Sequence, residues 1–322
     1  MAATKGSVLL AKNVLIETTK TGDQVLMECG RAAYTTARSV FHTKVFRLSQ
    51  HIDRLCTDCN YCLFLDNSVS GLFPEEQKNL NITREEVQNT VLENVRRARD
   101  YLCKVNPSIL KDKLDVKFSV IIEKPTTESR LPVSVLIQPM TKCHQPPIIC
   151  DLYHVVRSNA VVKDSLWVKY SCFPFLILRQ REVYYQKSGK SVEEILLSEN
   201  GLVFEGGQSN FFAVKNGTVY TKGEGILQGT VRNLVLTICE KLGIPLCLEA
   251  PRVDEIPLWD ACFITSTSRF VMNIDTLRVA IWNEDGKVLK EFEKDNKIVE
   301  SIKQAIDDEL KVEYCSFYCI IS

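Results

Sequence analysis

The chain has 322 residues, with 40 basic and 40 acidic side chains and therefore a formal charge of zero. Hydrophobic residues at 45% and charged residues at 25% are enough for a sizeable core, and the length suggests one large or two medium domains. Balanced charge excludes a sequence-independent nucleic-acid binder and a polybasic membrane binder. No apolar run approaches the ~20 residues of a membrane span. The opening residues, MAATKGSVLLAKNVL, lack the apolar core and cleavage site of a signal peptide. The expectation is a soluble, cytoplasmic protein.

In chain order, Ser7 to Ile16, Gln24 to Cys29 and Ala33 to Phe46 are rich in Val, Leu, Thr and aromatics and read as strands. Ser49 opens a helix whose apolar positions Ile52, Leu55, Cys56, Cys59 and Leu63 follow helical spacing. Thr83 with Glu86 forms a capping box before a second helix carrying Val87, Val91, Leu92, Val95 and Leu102. Strands Val116 to Ile122 and Pro132 to Gln138 follow. Thr141 to Pro147 reads as a linker, because two prolines there interrupt helix and sheet alike.

Beyond it, Val192 to Leu197, Leu202 to Phe204, Phe211 to Val214 and Thr218 to Tyr220 read as short strands. Asn200-Gly201 and Asn216-Gly217 are the hairpin turns. Gly229 opens a helix with Leu234, Val235, Ile238 and Leu242 inward and Gly243 at its close. Ile244 to Leu248 and Ala261 to Thr265 read as strands, and Phe292 to Leu310 as a charged terminal helix. The fold class is α+β, or mixed α/β, in two domains: 1–140 a smaller N-terminal α/β domain, 141–149 a linker, 150–312 a larger C-terminal domain, and 313–322 a tail.

Several familiar chemistries fail on spacing. The thirteen cysteines are odd in number and scattered, which argues against a disulfide framework. Cys56, Cys59 and Cys62 lack the fourth ligand of a zinc or iron–sulfur site, since position 66 is Asp; their spacing suits thiols packed along one helix face, so no metal is expected. Gly189-Lys190-Ser191 would need Gly at 184 to be a phosphate loop, and Gly223-Glu224-Gly225 would need Gly at 228 for a dinucleotide fingerprint. Those positions hold Tyr184 and Gln228.

What remains is one set of unlike elements. Glu205-Gly206-Gly207-Gln208-Ser209-Asn210-Phe211-Phe212 places a carboxylate five residues before an amide in a strand–turn–strand setting. Ile226-Leu227-Gln228-Gly229-Thr230-Val231-Arg232 runs into a helix N-terminus, a ready anion seat. Thr265-Ser266-Thr267-Ser268 ends a buried strand with four hydroxyls, and His51-Ile52-Asp53-Arg54-Leu55 puts Arg54 on an otherwise apolar helix face. In these residues, together with Val219-x-Thr221 and Tyr34-Thr35-Thr36-Ala37-Arg38, the chain resembles the class IV, fold-type IV aminotransferases that use pyridoxal 5′-phosphate (PLP). That family includes branched-chain and D-amino-acid aminotransferases and 4-amino-4-deoxychorismate lyase. The resemblance runs over roughly residues 25 to 275.

The resemblance implies a PLP site between two domains and a homodimer. The family's lysine lies some thirty-odd residues before the motif glutamate, which points to Lys169, 36 residues ahead of Glu205, for Schiff-base chemistry; Lys163, Lys187 and Lys190 fit that spacing less well. Glu205 then faces the pyridine nitrogen, with Asn210 and Ser266 beside the cofactor. Arg54, Thr267 and the backbone N–H groups of Thr230 and Val231 hold the phosphate. Tyr34, Arg38, Lys124 and Arg130 are candidates for the substrate carboxylate. Glu28-Cys29-Gly30-Arg31, Cys172, Pro174 and Glu123-Lys124-Pro125 depart from the family pattern, around the substrate pocket. The implied reaction moves an amino group between an amino acid and a 2-oxo acid. The alternatives are lyase chemistry and an inactive, membrane-tethered binding protein. The last rests on Cys319-Ile320-Ile321-Ser322, which fits a prenylation signal, with Cys315 available for palmitoylation.

Overall fold

The computed structural model describes residues 6–42, 44–62, 82–140, 147–155, 157, 159–170, 192–280, 286–293 and 295–316. Positions 141–146 of the expected linker, Leu63, Cys172, Pro174, Lys187, Lys190 and Cys319 lie outside them. The chain divides into two compact units, one built on Met1–Thr141 with Val162–Ser171, the other on Lys142–Val161 with Cys172–Cys315.

The first unit is organised by a six-stranded antiparallel sheet. Its strands are β1 (Ser7–Ala11), β2 (Val14–Thr18), β3 (Ala32–Val40), β4 (Lys44–Val45), β5 (Val116–Glu123) and β6 (Val133–Pro139), in the order β2-β1-β6-β5-β3-β4. Side chains alternate between its faces. Val8, Leu10, Ala33, Ala37, Phe118 and Val120 meet Ile52, Leu55 and Cys59 of α2 (Leu48–Asn60) and Val91 and Val95 of α3 (Arg84–Val105). Leu9, Tyr34, Ile121 and Leu136 face the other way, against Val25 and Leu26 of α1 (Gly22–Glu28) and Val168 of α5 (Ser165–Tyr170). A short α4 (Ser108–Lys111) follows α3.

Three local readings change here. The expected strand Ser7 to Ile16 is a hairpin, because Lys12 and Asn13 turn through left-handed φ values of 46° and 65°. Ala33 to Phe46 likewise breaks at Phe41 and His42, with φ of 51° and 54°, before β4. Gln24 to Cys29, expected as a strand, lies almost wholly in α1. The Thr21 hydroxyl accepts the Gln24 N–H at 3.3 Å and the Gln24 side chain accepts the Thr21 N–H at 2.8 Å, so a capping box starts a helix there. At α3 only half of the expected box forms: Thr83 accepts from Glu86 N–H at 3.2 Å, while the Glu86 carboxylate pairs with Arg130 at 3.0 Å. Cys59 and Cys62 are packed in the core, and burial pushes their thiols far up.

The second unit holds a mixed ten-stranded sheet: β7 (Ile149–His154), β8 (Val192–Glu199), β9 (Leu202–Gly206), β10 (Asn210–Lys215), β11 (Thr218–Tyr220), β12 (Leu246–Cys247), β13 (Ala261–Ser266), β14 (Phe270–Asn273), β15 (Thr276–Val279) and β16 (Lys287–Glu291). The main order is β12-β11-β10-β9-β8-β7-β15-β16, with β13 pairing β10 and β14. Both Asn-Gly turns form as expected, with left-handed φ at Asn200, Gly201, Asn216 and Gly217. Helix α6 (Thr230–Lys241) buries Leu234, Val235 and Ile238, but Leu242 is 48% exposed because the chain turns away at Gly243, φ 65°. Ile244 to Leu248 shortens to β12. The terminal helix α7 (Lys297–Ser316) starts later than Phe292, since β16 takes the preceding residues and the Asn296 side chain accepts the N–H groups of Ile298 at 3.1 Å and Val299 at 3.3 Å.

Candidate active site

In the second unit, sheet register and the loop before α6 bring together six of the expected residues. Glu205 at the end of β9 stands opposite Asn210 at the start of β10, and Asn210 stands opposite Thr265 on β13, one residue before Ser266 and two before Thr267. Glu205 is 2% exposed, and its Oε2 accepts the Leu227 N–H at 3.3 Å. Asn210 Nδ2 donates to the Leu227 carbonyl at 2.7 Å. Both the N–H and the C=O of Leu227, in the loop before α6, are thus held, and Thr230 and Val231 follow as the first turn of that helix. Asn210 therefore anchors the loop through one of its amide N–H groups.

The loop has a second anchor. Buried Arg232 donates from Nη1 to Gln228 Oε1 at 2.5 Å and from Nη2 to the carbonyls of Lys222 and Gly223 at 2.8 and 3.3 Å. The helix cap is Gly229, which has no side chain to satisfy the first N–H groups of α6. A Cβ there would collide with Asn210 Oδ1. The Thr230 and Thr265 hydroxyls are buried without a hydrogen-bond partner. Unspent donors at a helix N-terminus form a seat for an anion.

Lys169 and Arg54 belong to the first unit. Lys169 sits near the end of α5, half-buried, and its Nζ donates to the Cys29 carbonyl. That helix is fixed through its start. Arg31 grips Asp164 Oδ2 from Nε at 2.9 Å and Nη2 at 2.6 Å, while Asp164 Oδ1 accepts the Leu166 N–H at 2.9 Å. Ser165 Oγ accepts the Ala32 N–H at 2.9 Å and donates to the Gly30 carbonyl at 3.3 Å.

Arg54 lies on α2, where burial pulls its guanidinium below the ordinary value and Asp58 works against that shift. One turn earlier His51 is 1% exposed, its Nδ1 hydrogen-bonded with Thr35 Oγ1 at 2.8 Å. Burial, then Arg54 and Lys163, drive His51 down to about 3. The folded chain therefore takes up this proton far less readily than the unfolded chain. Stability is present above pH 6.5 and is lost as pH falls toward 3. The contribution lost by pH 4 is about 3 kcal/mol, and His51→Asn should flatten the thermal-melting midpoint between pH 7 and 4. An unchanged acid slope in that variant would place the sensitivity elsewhere.

The candidate substrate residues scatter. Tyr34 is buried on β3 with the Lys163 ammonium 5.0 Å from its ring centroid. Arg38 lies 3.5 Å from Asp115 and Arg130 pairs with Glu86, so those two guanidinium groups face carboxylates of their own unit. Lys124 is held below its ordinary value by burial and then by the Arg31 charge. The hydrogen-bond partners of Leu227, Arg232, Arg31 and Arg269 are visible only in the fold. The nearest sequence signal is an arginine directly after the hydroxyl run.

A buried strand-end carboxylate beside an uncapped helix N-terminus is an arrangement that can seat an anionic group. The pattern of the family described as Amino-transferase class IV matches residues 32–277. The chain belongs to the class IV aminotransferases. It is 34% identical over 88 residues to the branched-chain-amino-acid aminotransferase of Pseudomonas aeruginosa, covering 27% of this chain and 29% of that one. It is 30% identical over 122 residues to the D-alanine aminotransferase of Bacillus licheniformis, covering 37% and 43%. The chain thus spans less than half the length of these curated relatives. Among solved structures, the branched-chain aminotransferase of Thermoproteus uzoniensis with norvaline matches with a TM-score of 0.61 at 19% identity, over 95% of each chain. A T.th. branched-chain aminotransferase complexed with N-(5′-phosphopyridoxyl)-L-glutamate matches with a TM-score of 0.59 at 14% identity, over 95% and 94%. These structures share the mixed fold-type IV architecture. Among the described residues, no helix is long and apolar enough to cross a membrane.

Proposed function

We propose that the protein is a PLP-dependent aminotransferase acting between an amino acid and a 2-oxo acid. The observation that carries this reading is the double hold on Leu227 by Glu205 and Asn210, which fixes an uncapped helix N-terminus beside a buried carboxylate. The orphaned Thr230 hydroxyl and the side-chain-free cap at Gly229 fit a phosphate group. When bound, PLP supplies an aldehyde for amine capture and a ring that accepts electrons.

The chain's own residues supply the rest. The Thr230 and Val231 N–H groups, the Ser266 and Thr267 hydroxyls and the Arg54 guanidinium bind the phosphate by charge-assisted hydrogen bonds. The Glu205 carboxylate holds a proton at the pyridine nitrogen. Lys169 Nζ would hold the cofactor and would move a proton at the substrate Cα. Lys124 is the proposed carboxylate partner, since Arg38 and Arg130 already face Asp115 and Glu86. The names of the relatives favour transfer over lyase chemistry or an inactive scaffold.

The test is the absorption spectrum with added PLP before and after borohydride, followed by peptide mapping. A visible band bleached by reduction and an adduct on Lys169 support the reading; no adduct overturns it. Gly229→Ala should weaken PLP binding about tenfold by displacing Asn210 from Leu227, and an unchanged titration would separate that clamp from the phosphate seat. The expected homodimer is read by light scattering. Lipidation at Cys319 rests on sequence alone, and intact-mass measurement of protein from eukaryotic cells decides it.

A further inference from the structure

Arg269 follows the hydroxyl run at the turn between β13 and β14, with its side chain only 9% exposed. Its three nitrogens reach three partners: Nη1 to Glu193 Oε1 at 3.0 Å, Nη2 to Glu194 Oε2 at 2.7 Å and Nε to Ser266 Oγ at 3.1 Å. The same Glu194 oxygen accepts the Ser209 hydroxyl at 3.1 Å, and Gly206 is packed so closely that a Cβ would strike Ser209 Oγ. The Ser266 and Ser268 hydroxyls lie 3.4 Å apart.

Burial alone would lower this guanidinium, yet Glu194 and Glu193 outweigh it and hold Arg269 above its ordinary value. A buried ion cluster is a poor source of net stability, because desolvation offsets most of the attraction. A planar fork of donors does fix the mutual geometry of its partners, which a lysine ammonium does not.

We propose that Arg269 is a positioning residue that sets the Ser266 hydroxyl for the cofactor phosphate. Through Glu194 and Ser209 it also ties that strand end to the Gly206–Ser209 turn adjoining Glu205. The inference rests on the PLP reading above. It assigns a role to an arginine that does not itself touch the cofactor.

Arg269→Lys keeps the charge and removes the fork. The experiment compares dissociation constants for PLP and for pyridoxal, which lacks the phosphate, in the full-length wild type and variant. The expected result is about a tenfold weaker PLP constant, with the pyridoxal constant within about twofold of wild type and the absorption maximum of the bound cofactor unchanged. Equal losses for both ligands would indicate general loosening and overturn the inference, as would an unchanged PLP constant. Should Arg269→Lys not fold, the charge-free R269Q/E193Q/E194Q variant is read by the same ratio. A wild type that binds PLP no better than pyridoxal rejects the phosphate seat itself, a different failure from a variant that keeps the preference.

Discussion

Lys169→Ala should abolish the borohydride-fixed adduct and lower turnover by about 10³-fold or more, the scale of a lost proton-transfer group with its covalent step. The effect should appear in kcat, since the phosphate seat belongs to other residues. PLP titrated into this variant should still protect the protein against thermal unfolding, because noncovalent binding remains. An adduct that persists on another lysine, Lys163 above all, would move the assignment. Nearly unchanged turnover would end the proposed mechanism altogether. The prediction depends on where Lys169 is held: its Nζ donates to the Cys29 carbonyl, a neutral acceptor.

Asp164→Ala should be the most damaging substitution for the first unit. The Arg31 and Asp164 side chains are 9% and 11% exposed, and removing the carboxylate takes away the Oδ2 that both Arg31 Nε and Nη2 reach. Breaking such a pair costs about 3–5 kcal/mol, which should lower the melting midpoint on the order of 10 °C. The double variant R31M/D164L should recover much of that stability, because an apolar pair of similar volume avoids the stranded charge. It should still form the Lys169 adduct more slowly, since the Leu166 N–H loses its acceptor and the start of α5 loosens. A double variant with wild-type adduct kinetics would show that the pair holds the fold without positioning the lysine.

What the sequence discloses depends on the range over which each feature is determined. The Asn-Gly turns, the α2 periodicity and the glycine close of α6 are local, and they stand in the structure where the residues place them. Gln24 to Cys29 misleads because Val25 and Leu26 look strand-like, whereas the decisive signal is the Thr21 and Gln24 pair just upstream. The late start of α7 has the same cause, an Asn296 cap outweighing the charged pattern from Phe292.

The site divides similarly. Glu205 and Asn210 announce themselves by their spacing, which is what a two-strand turn requires. The partners that make them useful do not, because the Leu227 peptide is recognised only through backbone atoms. Arg31 and Asp164 are separated by 133 positions, with nothing in either neighbourhood to link them. Arg38 and Arg130 illustrate the converse error, since a cation near a motif is no evidence of a free one; each meets a carboxylate of its own unit.

The chain's path has a consequence for biosynthesis. The first unit needs Val162–Ser171, yet the intervening Lys142–Val161 belongs to the second. A ribosome that has released residue 141 has therefore delivered β3 without the segment that bridges Ala33 to Asp164 and covers Tyr34. At about 5–20 residues per second, a few seconds pass before that segment emerges. During this interval Leu9, Tyr34, Ile121 and Leu136 lack the cover of α5, so that apolar sheet face is completed only after the chain has begun the second unit.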